Sequence, residues 1–142
     1  MTTYDTIVVP TDGSRPASRG VDHALAIAAD DGAEIHLVRI VDSGRYGEAT
    51  ALSSYEVALE KVETEMAAEL EALADRVREG GLAVECHCSR GTPHERIVEL
   101  AEDVDADLIV MGKHGEGQAE TPHLGSVADR VIRSTDRPVF TV

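Results

Sequence analysis

Apolar and polar positions follow two alternating rhythms along this chain. Thr6-Ile7-Val8-Val9 is a short β-branched run ending at Pro10, the pattern of a strand. After Asp12-Gly13-Ser14, a run of turn residues, apolar positions at Val21, Ala24, Leu25 and Ala28 recur with helical spacing and stop near Asp31-Gly32. Ile35 to Val41 reads as a second strand, and Ser43 to Thr50, with Gly44 and Gly47, as a polar loop. Leu52, Tyr55, Leu59, Val62, Met66, Leu70, Leu73 and Val77 step by three or four residues and draw one stripe along a long helix. Gly80-Gly81 ends it. Leu82 to Ser89 is a third strand. Thr92-Pro93-His94-Glu95 opens the next helix, with Thr92 as cap, Pro93 suited to the first turn and Glu95 completing a capping box. Its apolar face is Ile97, Leu100, Ala101 and Val104. Asp107 to Met111 is a fourth strand, Leu124 to Ile132 a last helix and Pro138 to Val142 a closing strand.

Strands and helices therefore alternate from end to end. That order predicts an α/β fold: one open, mostly parallel five-stranded sheet with helices on both faces. No repeat or linker interrupts it, so residues 1–142 read as one domain.

Composition narrows the function. Thirteen Lys plus Arg against 27 Asp plus Glu gives a formal charge of −14. Such a surface repels nucleic-acid phosphates and anionic lipids, so neither is an expected partner. Lys61 and Lys113 are the only lysines. High acid with scarce Lys fits a chain that works in concentrated salt, where carboxylates keep it soluble and screening weakens their repulsion. No basic n-region with a long apolar run opens the chain, and no apolar run is long enough to span a bilayer. A cytoplasmic location is the expectation.

The chemistry is expected where the strands leave the sheet at their carboxyl ends. The first strand delivers Pro10, Thr11 and Asp12; the fourth delivers Met111, Gly112, Lys113, His114 and Gly115. Glycines there let backbone N–H groups approach an anion closely. Gly125-Ser126-Val127 opens the last helix, adding free N–H groups, the positive end of the helix dipole and a hydroxyl. One glycine alone is a turn residue; two clusters at one sheet edge make a polyphosphate cradle that needs little basic charge.

These residues resemble a known pattern. Gly112-x2-Gly115-x9-Gly125-Ser126 matches the nucleotide-binding signature of the universal stress protein family. Ile7 to Ser14 is similar to the family's first strand and loop, Gly91-Thr92-Pro93 and Ala106 to Gly112 to its third helix and fourth strand, and Pro138-Val139 to the start of its last strand. The resemblance spans nearly the whole chain. It implies a Rossmann-like, adenine nucleotide alpha hydrolase-like fold with strand order 3-2-1-4-5. It also implies a stress-response module that binds ATP, ADP or AMP, with Mg2+ as the accompanying cation and slow ATP hydrolysis at most. Asp12, beside Pro10 and Thr11, would bond the adenosine part, and main chain near Ile40 the adenine edge. Met111, Gly112 and His114 would lie along the ribose and phosphates, while Gly115, Gly125, Ser126 and Val127 would hold the phosphates. The family commonly dimerises through its last strand, which implies a homodimer through Pro138 to Val142. One stretch departs from the pattern. Residues 116–124 include Glu116 and Glu120, where the family often has Lys or Arg. These acids either help to hold Mg2+ or belong to the generally acidic surface.

Other readings are weaker. There is no P-loop and no Gly-x-Gly-x-x-Gly after the first strand. Cys86-His87-Cys88 suggests a metal, but on a strand the cysteines face one side and the histidine the other. Neither a metal-ligand set nor a catalytic residue emerges; Ser14, Asp12 and His114 lack a nucleophile elbow. Glu56, Glu60, Glu63 and Glu65 read as a solvated helix face. Two other functions remain open: a dimeric interaction module that binds no nucleotide, and an adenylyl-transfer enzyme on the same sheet.

Overall fold

The computed structural model describes residues 3–42, 52–114 and 124–142. Its elements run β1 (Thr6–Pro10), α1 (Arg15–Asp31), β2 (Glu34–Asp42), α2 (Leu52–Glu79), β3 (Val84–Gly91), α3 (Pro93–Asp103), β4 (Leu108–Met111), α4 (Ser126–Ser134) and β5 (Val139–Thr141). The five strands form one sheet in the order β3-β2-β1-β4-β5, and every pair is parallel. Strand order reverses between β1 and β4, which opens a crevice beyond their carboxyl ends.

Two aliphatic layers sandwich the sheet. On one face Ile7, Val9, Ile35 and Leu37 pack against Val21, Ala24 and Ala28 of α1 and Leu70, Ala74 and Val77 of α2. On the other, Val8, Val38 and Ile109 pack against Ile97 and Ala101 of α3 and Ala128 and Val131 of α4. Alternate residues of one strand thus enter opposite cores.

The element order is as the pattern predicts, and the differences lie at ends. β3 starts at Val84 rather than Leu82 because the Leu82 N–H still bonds the Val77 carbonyl of α2, after Gly81 has turned with φ +80°. It runs on to Gly91 because Arg90 and Gly91 keep register with Val41 and Asp42. The side chain of Thr92 makes no capping bond; its carbonyl accepts the Arg96 N–H at 3.1 Å instead, so the expected capping box does not form. Ser14, placed in a turn by the sequence pattern, is the side-chain cap of α1, accepting the Ala17 N–H at 3.2 Å. The acids of α2 are not a plain solvated face. Glu56 and Glu63 both bond Arg90 of β3.

Candidate functional site

A cleft of about 330 Å³ opens at the reversal point. β1 leads there into buried Thr11, whose N–H bonds the Val38 carbonyl at 2.9 Å and continues the ladder past Pro10. The chain then turns. Gly13 takes φ +81°, a left-handed conformation that favours glycine. Its N–H bonds Thr11 Oγ1 at 3.3 Å, and the Ser14 N–H bonds Asp12 Oδ1 at 2.9 Å. The turn so orients the Asp12 carboxylate at the cleft wall.

On the other wall β4 ends in Met111 and is followed by Gly112. A Cβ at Gly112 would lie 2.8 Å from the Pro16 carbonyl carbon, so this glycine is what lets β4 pass under the start of α1. The next residues are tied down. The Lys113 N–H bonds the Val142 carbonyl at 2.8 Å, and the Lys113 carbonyl accepts the Gly125 N–H at 2.6 Å. This corrects the reading of Gly125 as a donor of a free N–H: its N–H closes the base of the connection from β4 to α4. α4 begins just after, and its first internal bond runs from the Asp129 N–H to the Gly125 carbonyl. Ser126, Val127 and Ala128 precede that bond, so their N–H groups have no partner within the helix. Among the described residues, no side chain caps this end.

Of the residues singled out in the sequence, Pro10, Thr11, Asp12, Ile40, Met111, Gly112, His114, Gly125, Ser126 and Val127 all line this cleft. Gly115 lies outside the described residues, as do Glu116 and Glu120. The sequence reading missed the apolar end of the cleft, where Val38, Met66, Pro93 and Ile97 join Ile40. It also missed Arg39. This arginine lies on the cleft wall, pairs with Glu69 of α2 and reaches the Asp12 carbonyl at 3.4 Å. Among the described residues, its buried Nε has no hydrogen-bond partner. A charge inside the run Leu37-Val38-Arg39-Ile40-Val41 was the available signal.

The cleft has an apolar end, the carboxylates of Asp12 and Asp42, a guanidinium and a helix N-terminus with no side-chain cap among the described residues. Such a site suits a ligand with a flat apolar part at one end and an anion at the other. The two cysteines play no part in it. Burial pushes the Cys86 thiol up to about 11 and the Cys88 thiol upward as well, so neither is a ready thiolate at neutral pH. Among the described residues, no helix is long and apolar enough to cross a membrane.

The family model described as "Universal stress protein family" matches residues 3–142. The chain belongs to the universal stress protein family. Universal stress protein MJ0531 of Methanocaldococcus jannaschii is 37% identical over 98% of this chain and 82% of its own length. Universal stress protein MJ0577 of the same organism is 30% identical over 98% of this chain and 94% of its own. The solved structure of MJ0577 superposes with a TM-score of 0.92, covering 99% of this chain and 96% of that one. Two further solved structures carry ligands. A universal stress protein in complex with cAMP is 31% identical with a TM-score of 0.74, covering 99% of this chain and 98% of that one. The universal stress protein from Archaeoglobus fulgidus in complex with dAMP is 25% identical with a TM-score of 0.66, covering 99% and 98%.

Proposed function

We propose that the chain is a regulatory module whose cleft binds an adenine nucleotide: AMP, ADP, or ATP with Mg2+. The observation that carries this reading is the pairing, in one cleft, of an apolar end around Ile40 with the start of α4, whose first N–H groups have no partner within the helix. The base lies at the apolar end, Asp12 takes a ribose hydroxyl, and the phosphates meet the N–H groups of Ser126, Val127 and Ala128. The cAMP and dAMP bound by the two relatives are ligands of the same chemical class. The test is direct. With no Trp and three Tyr, the protein absorbs weakly at 280 nm, so co-purified nucleotide pulls its maximum toward 260 nm. A protein-like spectrum, followed by no heat on titrating nucleotide-free protein with ATP and Mg2+ in molar KCl, overturns the proposal.

Charge sets how that binding responds to salt. The protein carries a formal −14 and ATP is a polyanion. Arg39 already pairs with Glu69, and among the described residues Lys113 is the other lysine or arginine on the cleft wall. Long-range repulsion therefore opposes approach, while the helix N-terminus attracts only at contact. Salt screens the first more than the second. ATP affinity is expected to rise between dilute buffer and molar KCl, the reverse of a basic phosphate site. A steady fall in affinity with salt would contradict this.

The same proposal takes one domain over residues 1–142, a cytoplasmic setting in concentrated salt, and a homodimer through β5. β5 is a sheet edge, with Phe140 43% exposed, and an open edge favours pairing with a second copy. Deleting residues 138–142 should convert the dimer to monomer in light scattering. An unchanged mass would refute the β5 interface.

A further inference from the structure

Outside the cleft, two histidines from neighbouring strands meet. His36 of β2 is buried, with 5% of its surface exposed, and His87 of β3 is half-buried. Their rings stack at 5.2 Å with 27° between planes, and His36 Nδ1 lies 3.0 Å from His87 Nε2. Strand register brings Glu85 in. Glu85 stands opposite His36, and its Oε2 lies 3.8 Å from His36 Nδ1. On the far side of the His36 ring, Glu34 Oε1 lies 3.3 Å from Nε2. Among the described residues, neither glutamate has a lysine or arginine partner, so two carboxylates surround two imidazoles with no resident cation.

We propose that His36, His87 and Glu85 form a binding site for a divalent transition-metal ion, with zinc as its type. Imidazole nitrogens with a carboxylate are the ligand set such ions take. Two nitrogens 3.0 Å apart both reach one ion at a Zn–N length of about 2.0–2.1 Å, with an N–Zn–N angle of about 94°. Opening the pair by about 0.3 Å gives the tetrahedral angle. One ligand atom from each of the three residues already lies within 4.8 Å of the others. Glu34 supplies the outer contact that metal-bound histidines usually have. By accepting a hydrogen bond from Nε2–H it leaves the Nδ1 lone pair of His36 facing His87. Water completes the coordination. The site is separate from the nucleotide cleft, on the same face of the sheet as Val38 but nearer the start of β2. An ion there joins the edge strand β3 to β2.

The test uses untagged, nucleotide-free full-length protein, titrated calorimetrically with Zn2+ and followed by absorption with Co2+. One equivalent of Zn2+ is expected, retained in excess Mg2+, together with a Co2+ spectrum lacking thiolate bands. His36 is buried, so the half-buried His87 carries the mutation. Loss of an outer contact alone costs about 10–100-fold in metal affinity, so His87→Gln, which removes a direct ligand, should cost at least about 100-fold. Glu85→Gln should weaken binding less, and Cys88→Ser should leave it unchanged. Absence of Zn2+ binding at millimolar metal overturns the proposal. So does binding that survives His87→Gln, or that is lost in Cys88→Ser.

Discussion

Ser126→Pro should weaken ATP binding by about two orders of magnitude while leaving the fold in place. Ser126 is the first residue of α4, and Gly125 before it has φ −65° and ψ 155°. Proline suits a first helical position, and the extended Gly125 is the conformation that a residue before proline prefers. The first internal bond of α4, from the Asp129 N–H to the Gly125 carbonyl, does not involve Ser126. The substitution thus removes one N–H and one hydroxyl from the cleft at little structural cost. Hydrogen bonds to charged groups contribute roughly 1.5–3 kcal/mol each, and losing two at the low end corresponds to about 100-fold. Ser126→Ala, which keeps the N–H, should cost about 10-fold by the same reasoning. Adenosine has no phosphate, so its affinity should not change in either variant. Calorimetry with ATP and adenosine reads all of this, and a thermal midpoint near that of the parent chain certifies the fold. An ATP affinity unchanged in Ser126→Pro would mean that the phosphates do not meet the start of α4.

The elements and their order were legible because most of them bury a periodic apolar face: Ile7 and Val9 on one side of β1, Val8 on the other, and Leu59, Leu70 and Val77 along α2. The glycine and serine positions of the cleft were legible because the ends of β1 and β4 bring chain-distant motifs to one place. What could not be read depends on partners far along the chain. Arg39 is tolerated within a nearly buried strand because Glu69, thirty residues on, meets its guanidinium. The His36–His87 contact spans fifty-one residues and exists only in one register of β2 on β3. A charge within an apolar run marks Arg39 as unusual but does not name its partner, and nothing local hints at the histidine pair. Gly125 is a subtler case. Its position was legible, but the use of its N–H was not, since that depends on where the Lys113 carbonyl points. The alternation of Cys86-His87-Cys88 was sound as far as it went. Cys86 packs with the α1 and α2 layer, and His87 turns to the other face.

Gly112 and Gly20 face each other across the contact between β4 and α1, and they should respond to alanine in opposite ways. At Gly112 an added Cβ would sit 2.8 Å from the Pro16 carbonyl carbon, 2.9 Å from Pro16 Cβ and 3.0 Å from the Ala17 nitrogen. Two of these three atoms are backbone at the start of a helix, so relief requires α1 to move away from the sheet. Pro16 and Ala17 are themselves buried, which leaves no flexible side chain to give way. Overpacking of this kind costs about 1–3 kcal/mol. Gly112→Ala should therefore lower the denaturation midpoint clearly. It should also weaken nucleotide binding, because the displaced start of α1 adjoins Asp12. Gly20 offers the contrast. A Cβ there would meet the Gly112 nitrogen at 3.5 Å and Met111 backbone atoms at 3.5 and 3.6 Å, ordinary contact distances. Gly20 lies inside α1, where alanine is preferred over glycine by about 1 kcal/mol. Gly20→Ala should be neutral or stabilising by up to that amount. Urea denaturation of the two variants decides the matter. If Gly112→Ala were as stable as the parent, α1 would not be held against β4 by this glycine, and the motif glycine would have to be explained by the ligand alone.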